Sequence, residues 1–244
     1  MTDQPIIRVL NTPQELFQAA AAEFVGLAEQ AIHNTGRFTV ALSGGSTRRS
    51  LYALLASDIV PALAWEKIYF FFSDERYVGP DHPDSNYRMA TEALLSRVAV
   101  PKENIFRVPT ELPSAEAAAA AYEESLRSFF QLQPEEFPRF DLILLGMGPD
   151  GHTASLFPGT PAVEEQHRLV VANWVEKFKT YRITLTLPVL NNAATVMFLV
   201  SGHEKAAMVR KVLREGEDLP ARRVRPSHGK LIWMLDCGAA SELK

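Results

Sequence analysis

The sequence predicts an α/β fold in which helices cover a parallel sheet on both faces. Short, almost wholly apolar segments recur along the chain, and segments with helical periodicity separate them. Strands that are apolar on both sides are typical of parallel sheets, because helices on either side bury both faces. The composition agrees, since 47% apolar and 22% charged residues over 244 positions are ordinary for a globular protein with its own core.

Eight segments have the length and apolar character of strands. They are Ile6–Leu10, Phe38–Leu42, Ile68–Phe72, Asp141–Leu145, Leu169–Ala172, Arg182–Leu187, Thr195–Val200 and Leu231–Leu235. The segments IYFFF (68–72) and DLILL (141–145) are nearly continuous apolar runs, which favours strands that are buried on both faces. We therefore assign the aromatic residues Phe70–Phe72 to the core.

Helical segments lie between these strands. They are expected at about residues 13–35, 86–97, 114–131 and 203–214. A further helix is expected after the loop formed by residues 43–47, and it extends to about residue 57. The first has the clearest signals, because Thr12-Pro13-Gln14-Glu15 is a capping box with proline at the first helical position and Gly36 follows the last turn. No segment has the composition of a linker and none repeats, so residues 1–244 are expected to form one domain.

Composition and charge exclude several functional classes. Cys237 is the single cysteine, so a disulfide framework and a cysteine-rich metal site are excluded and a reducing, cytoplasmic setting is expected. The net charge of −4 gives no general basic surface for nucleic acid. No apolar run approaches the roughly 18 residues of a membrane span, and the start of the chain carries no secretory signal. The histidines include no H-E-x-x-H pair, so the sequence predicts no metal site.

Three polar loops follow predicted strands, and they are the candidate functional segments. They comprise residues 43–47, 73–76 and 146–152. In parallel sheets, ligands bind beyond the carboxyl ends of strands, so these loops are expected to lie close together.

The loop after the predicted strand Asp141–Leu145 contains Gly146, Gly148 and Gly151, which have the spacing of a dinucleotide-binding fingerprint. That fingerprint needs a long helix at its third glycine, but Pro158-Gly159 stops any helix within two turns. The acidic residue expected about 20 positions further on is also missing, because that strand ends at Ala172-Asn173-Trp174. These features argue against a nicotinamide cofactor.

The same loop also carries Asp150 and His152, on either side of a glycine. A histidine takes a proton from water near neutral pH, and a neighbouring carboxylate fixes its tautomer. The alternative is that Asp150 caps a short helix over 152–157 and that His152 is a surface residue. The pattern alone leaves both interpretations open.

The loop Ser43-Gly44-Gly45-Ser46-Thr47 stands between a strand and a helix. It lacks the G-K-[ST] ending of a P-loop, but its small residues leave backbone N–H groups free for an anion. A glycine turn with a serine or threonine cap is the alternative. In the 73–76 loop, Asp74 and Glu75 are candidate acid–base groups, and an ion pair with Arg76 explains them equally well.

Seven segments in the same order resemble the 6-phosphogluconolactonase family. They are LSGGST (Leu42–Thr47), SDERYV (Ser73–Val78), HPDSNY (His82–Tyr87), LLGMGPDGHTASLFPG (Leu144–Gly159), RITLTLPVLNNA (Arg182–Ala193), SGHEKA (Ser201–Ala206) and LPARRVRPSHGKLIWMLD (Leu219–Asp236). The family shares its fold with glucosamine-6-phosphate deaminase. The resemblance implies a three-layer, Rossmann-like α/β/α sandwich with a mostly parallel sheet, which agrees with the strand–helix alternation.

The resemblance further implies hydrolysis of 6-phospho-D-glucono-1,5-lactone to 6-phosphogluconate, in the oxidative pentose phosphate pathway, with no metal or organic cofactor. On this chain, His152 becomes the base that activates water and Asp150 its orienting partner. The implied binding residues for phosphate and sugar oxygens are Ser43, Gly44, Gly45, Ser46, Thr47, Asp74, Arg76, Arg182 and Lys205. A small phosphosugar lactone is the expected partner, and the chain is expected to be a monomer or a weak homo-oligomer. The alternative for Lys205 is a solvated residue in the first turn of its helix. The alternative for Arg182 is a side chain that snorkels to solvent at a strand edge.

Three alternative functions are weighed against this one. The deaminase has M-D-E-Y at the strand end and T-V-G after its phosphate-binding strand, whereas this chain has Ser73-Asp74-Glu75-Arg76 and Thr186-Leu187-Pro188. A sugar-phosphate-sensing regulator needs a DNA-binding segment, but the first predicted strand already begins at Ile6. A binding module without activity needs no Asp150-Gly151-His152, which this chain has.

Overall fold

The architecture was analysed in a computed structural model, which describes residues 4–59 and 63–243. The strands are β1 (Ile6–Leu10), β2 (Phe38–Leu42), β3 (Ile68–Phe72), β4 (Asp74–Arg76), β5 (Leu142–Leu145), β6 (Val170–Val175), β7 (Thr180–Leu185), β8 (Thr195–Val200) and β9 (Lys230–Asp236). The α-helices are α1 (Pro13–Thr35), α2 (Ser46–Leu55), α3 (Asn86–Ala90), α4 (Ala115–Phe130), α5 (Leu187–Asn192), α6 (Ala206–Arg210) and α7 (Pro220–Arg223).

Six strands form the main sheet, in the order β1-β9-β8-β5-β2-β3, and every pairing in it is parallel. Every residue of β2, β5 and β8 is buried, as expected for central strands with both faces covered. Helices flank this sheet, so the predicted fold class is confirmed. Because all six strands run the same way, the segments that follow β2, β3, β5 and β8 meet at one edge of the sheet.

A second, antiparallel sheet of three strands in the order β4-β7-β6 was not predicted. The predicted strands at 169–172 and 182–187 belong to it, with shifted bounds, rather than to the parallel sheet. A tight turn at Glu176–Phe178, closed by Lys179 in the left-handed conformation, joins β6 to β7. So short a connection allows only antiparallel pairing. The charged stretch 74–76, expected to be a loop, pairs with β7 as an edge strand.

The helix signals were mostly correct. The Thr12 hydroxyl accepts a hydrogen bond from the Glu15 N–H, and α1 ends at Gly36, whose φ of 79° is the left-handed conformation favoured by glycine. The Glu15 carboxylate reaches the N–H of Asn11 instead of closing the capping box on Thr12. The predicted helices at 86–97 and 203–214 are composite, because a π-helical turn follows α3 and another follows α6. No helix covers 152–157, which removes the interpretation of Asp150 as a helix cap.

The sheets and helices share one buried apolar cluster. Phe70, Phe71 and Phe72 belong to it, as predicted, and Phe71 packs against four further phenylalanine rings at centroid distances of 4.7–5.8 Å. On the other half of the sheet, Phe198 stacks on Trp233 at 4.0 Å. This dense packing holds the strand ends in fixed positions. Within the described ranges, no helix has both the length and the apolar character required to cross a membrane.

Candidate active site

A cavity of about 430 Å³ opens at the carboxyl edge of the main sheet. The three loops singled out in the sequence line it together, as the strand-end rule predicts. All residues predicted to bind substrate are among the lining residues: Ser43, Gly44, Gly45, Ser46, Thr47, Asp74, Arg76, Arg182 and Lys205. His152 lines the cavity as well, whereas Asp150 contacts His152 from outside the lining.

Backbone hydrogen bonds shape the loop that carries His152. The Gly148 N–H donates to the carbonyl of His152 at 2.9 Å, and the Gly151 N–H donates to the carbonyl of Gly148 at 3.1 Å. Gly151 has a φ of 76°, and any side chain on Gly148 would overlap the imidazole of His152. Gly148 therefore leaves room for the histidine ring, and Gly151 allows the turn that precedes it. These two requirements explain the fingerprint-like spacing without a dinucleotide.

His152 and Asp150 form a hydrogen-bonded pair, with 2.5 Å between Nδ1 and Oδ1. The hydrogen bond from His152 is the main cause that lowers the pKa of Asp150 to about 2, so this carboxylate stays ionised at neutral pH. The imidazole stacks on Phe157 at 4.1 Å, which restricts its orientation further. Because Nδ1 is engaged by Asp150, Nε2 is the nitrogen that remains for a bound molecule.

Asp74 has a buried carboxylate that accepts hydrogen bonds from other side chains of the protein. Its Oδ2 accepts a hydrogen bond from the Ser155 hydroxyl at 2.7 Å, and its Oδ1 accepts one from the Asn86 amide at 3.2 Å. The hydroxyl of Ser43 lies 2.5 Å from that of Ser73 and donates to the carbonyl of Leu144. An ionised carboxylate only accepts hydrogen bonds, so Asp74 suits sugar hydroxyls rather than phosphate.

Glu75 fits neither of its two sequence interpretations. Its carboxylate accepts hydrogen bonds from the backbone N–H groups of Arg76, Asn86 and Tyr87 at 2.7–2.8 Å and from the Ser85 hydroxyl. It therefore fixes the start of α3, and the side chain of Arg76 donates instead to the carbonyl of Asp84. Burial raises the pKa of Glu75, while the backbone donors oppose that shift.

Three cationic side chains of the cavity, Arg76, Arg182 and Lys205, have few partners. Arg76 and Arg182 stand directly opposite each other on β4 and β7. The Nε atom of Arg182 is buried and has no hydrogen-bond partner among the described residues. Burial and the charge of Arg76 lower the pKa of Arg182. Lys205, in the turn His203–Lys205, lines the same cavity, and within the part of the chain that the structure describes no carboxylate lies within 4 Å of its Nζ.

Several lining residues were missed by the sequence interpretation. They include Arg48, Asn86, Ser155, Phe157 and Phe178. Phe178 belongs to the β6–β7 turn and packs edge-on against Phe157 at 5.9 Å, so the second sheet supplies part of the cavity wall. A signal for Arg48 was present, since the first turn of α2 has two arginines and no acidic residue.

The chain matches the profile of the family described as glucosamine-6-phosphate isomerases/6-phosphogluconolactonase over residues 11–233. A 6-phosphogluconolactonase of Synechocystis is 44% identical over 98% of this chain and 99% of its own length. One from Nostoc is 46% identical over 88% of each chain, and one from Rattus norvegicus is 40% identical over 96% of this chain and 92% of its own length.

Solved structures give the same result. The 6-phosphogluconolactonase of Trypanosoma brucei superposes with a TM-score of 0.87 and 33% identity over 99% of both chains. That of Trypanosoma cruzi has a TM-score of 0.89 and 31% identity over 100% of this chain and 98% of its own. A monomeric glucosamine-6-phosphate deaminase with a TM-score of 0.81 is only 23% identical, so it supports the fold alone. The chain therefore belongs to the glucosamine-6-phosphate isomerase/6-phosphogluconolactonase family.

Proposed function

We propose that this chain is a lactone hydrolase that converts 6-phospho-D-glucono-1,5-lactone to 6-phosphogluconate, in the oxidative pentose phosphate pathway. One observation carries the proposal. An imidazole oriented by an ionised carboxylate lines the same cavity as Arg76, Arg182 and Lys205. A base and a group of cations in one cavity match a substrate that has both a reacting carbonyl and a phosphate. The relatives named 6-phosphogluconolactonase support the same substrate.

In the proposed reaction, Nε2 of His152 takes a proton from a water molecule as its oxygen attacks C1 of the lactone. The carbonyl electrons move to the exocyclic oxygen, which gives a tetrahedral intermediate. The C1=O bond then forms again and the bond from C1 to the ring oxygen breaks. The ring oxygen takes the proton from the imidazolium, which leaves the open hydroxy acid and the neutral base. Asp150 keeps Nδ1 protonated and stabilises the imidazolium.

The phosphate-binding end is proposed to position the lactone. The substrate phosphate is a dianion, and the guanidinium groups of Arg76 and Arg182 and the ammonium of Lys205 are available to it. Asp74 and the Asn86 amide suit the sugar hydroxyls between the two ends. Binding energy collected at the phosphate holds C1 against His152 without contact to the reacting bond.

The test is turnover of freshly prepared 6-phosphogluconolactone, with the spontaneous hydrolysis subtracted and glucosamine 6-phosphate assayed in parallel. We expect acceleration with the lactone, no ammonia from the amine, and the same rate after EDTA treatment, since the proposed steps use no metal. Ammonia release without lactone turnover would overturn the proposal, and a rate that EDTA abolishes and one divalent ion restores would overturn the mechanism.

A further inference from the structure

We propose that Arg48 binds the substrate's phosphate group and so determines selectivity for phosphorylated lactones. This inference rests on the proposed function and adds a residue to its binding site. Arg48 lies in the first turn of α2 and lines the cavity. Three independent features support the assignment: the position of its guanidinium, its lack of an anionic partner, and the charge pattern of its helix.

The guanidinium lies between the two glycine-rich loops. Its Nε donates to the carbonyl of Gly44 at 2.7 Å, so the side chain folds back along its own helix toward the 43–47 loop. A side chain on Gly146 would overlap the guanidinium, as would one on Gly45. Both loops therefore come close to the arginine because these two positions have no side chain. The group is held at the carboxyl edge of β2 and β5, where the cavity floor lies.

Arg48 has no direct ion-pair partner within the described part of the chain. Its hydrogen bonds go to two backbone carbonyls, those of Gly44 and Leu199, and no carboxylate lies within 4 Å of it among residues 4–59 and 63–243. Burial lowers the pKa of Arg48 and the charge of Arg76 acts in the same direction, while Tyr52 and Asp74 oppose the shift. A guanidinium presents five N–H donors in a plane, and phosphate matches that geometry with two parallel hydrogen bonds.

The cavity as a whole is also cationic. Four of its lining side chains carry a positive charge and two a negative charge: Arg48, Arg76, Arg182 and Lys205 against Asp74 and Glu204. The lining therefore carries an excess of two positive charges, which a phosphate dianion would balance.

The start of α2 has the charge pattern of an anion site rather than of a stable helix end. Acidic residues stabilise the first turn of a helix, yet α2 has Arg48 and Arg49 there and no acid. Its N-cap, Gly45, makes no side-chain capping bond, so the first backbone N–H groups lack that partner. An anion at this point would satisfy the N–H groups and Arg48 together. The helix has ten residues, enough for a developed dipole.

Arg48→Gln tests the inference, and Arg49→Gln is the matched control. Arg49 is the next residue of the same helix, its side chain is 63% exposed, and it is not among the cavity-lining residues. For Arg48→Gln we expect kcat/KM with 6-phosphogluconolactone to fall about 10–100-fold, the scale of a charged hydrogen bond, and to change less than about twofold with unphosphorylated glucono-1,5-lactone. Arg49→Gln should change neither substrate more than about twofold. Arg48→Lys should recover part of the loss, because it restores the charge without the planar donors.

Equal losses on both substrates would assign Arg48 to loop structure and overturn the inference, as would no loss on either. If Arg48→Gln does not fold, Arg48→Lys and Arg48→Met take its place. Methionine keeps most of the aliphatic side chain and removes the charge, so Arg48→Met should show the same loss for the phosphorylated substrate alone. Titration calorimetry with inorganic phosphate separates this inference from the proposed function. Phosphate binding by an inactive wild-type chain, lost in Arg48→Gln, would support Arg48 while lactone hydrolysis fails.

Discussion

Two groups of cavity residues differ in how far the protein satisfies their polar atoms. They are named here for their proposed roles: the catalytic end around His152, and the phosphate-binding end with Arg48 and Arg182. At the catalytic end, Nδ1 of His152 is bound to Asp150, and the loop around it is closed by its own backbone hydrogen bonds. At the phosphate-binding end, Nε of Arg182 has no partner among the described residues, and Arg48 donates only to backbone carbonyls.

The catalytic end is thus satisfied by bonds within the protein, whereas the phosphate-binding end has charged groups without anionic partners. The catalytic end holds its geometry without substrate, because a proton transfer needs the base in place before the reaction begins. The phosphate-binding end holds like charges, and those of Arg76 and Arg182 repel each other. The first arrangement should control kcat, and the second should control substrate affinity and reduce the stability of the empty protein.

The largest effect is expected at the catalytic end. His152→Ala should lower kcat by about 10²–10⁴-fold with little change in KM, because the base is lost while the cations remain. The measurement is steady-state lactone turnover of the folded variant. His167→Ala, an exposed histidine outside the cavity, serves as the control and should keep the wild-type rate. A folded His152→Ala protein with wild-type kcat would exclude the histidine as the base.

A smaller effect is expected when one cation is removed. Lys205→Ala should reduce kcat/KM for the phosphorylated lactone by roughly 1.5–3 kcal/mol, the scale of a hydrogen bond to a charged group. It should scarcely change the slow turnover of unphosphorylated gluconolactone. Lys211→Ala is the matched control, since that lysine lies outside the cavity and pairs with Glu217 at 3.2 Å. Equal losses on both lactones would show that Lys205 does not recognise the phosphate.

The main sheet was predictable because its strands are nearly continuous apolar runs. The bounds of β1, β2, β3 and β8 agree with the prediction. The second sheet was not. β6 (VVANWV) is largely apolar and β7 (TYRITL) alternates polar and apolar residues, but neither pattern reveals which strand it pairs with. The strand β4 has three charged residues and is defined only by its backbone pairing with β7. Long-range pairing of this kind leaves no local pattern in the sequence.

The strand-end rule located the cavity loops, and the resemblance assigned roles within them. Arg48 was missed because a helical pattern shows where the helix lies but not that a first-turn side chain folds back toward the preceding glycines. Phe178 was missed for a different reason, since it reaches the cavity through the tertiary position of the β6–β7 turn. Glu75 was misread, because its partners are the backbone N–H groups of Asn86, Tyr87 and its own neighbour Arg76, and the Ser85 hydroxyl.

The hydrogen bond between Asp150 and His152 should also affect how the free energy of unfolding depends on pH. The pKa of Asp150 is lowered from 3.8 to about 2 in the folded chain, chiefly by the hydrogen bond from His152. A group with a lowered pKa stabilises the fold above its unfolded pKa and loses that contribution as the pH falls toward the folded value. The free energy of unfolding of wild type should therefore exceed that of Asp150→Asn at pH 6, and the difference should shrink between about pH 4 and 2. Urea titrations at several pH values measure it, and a constant difference would contradict the assignment.

The smallest effect is expected at the phosphate-binding end of the empty protein, and its sign is opposite. Arg182 stands directly opposite Arg76, and like charges in that position destabilise a pair of strands by about 0.2–1 kcal/mol. Arg182→Met removes this repulsion and the unpartnered Nε, while methionine keeps an apolar contact with the ring of Phe178. The free energy of unfolding without ligand should rise by about 0.2–1 kcal/mol, measured by urea titration at neutral pH.

Arg8→Met provides the contrast for this last prediction, because Arg8 is 43% exposed and pairs with Glu23 at 3.1 Å. Removing a paired arginine should leave stability unchanged or slightly lower. The gain in Arg182→Met should disappear when the product 6-phosphogluconate is added, since the wild-type chain then receives an anion between its arginines and is stabilised by binding. If Arg182→Met is less stable than wild type without ligand, the arginine pair contributes to the fold itself, and the contrast between the two ends of the cavity does not hold.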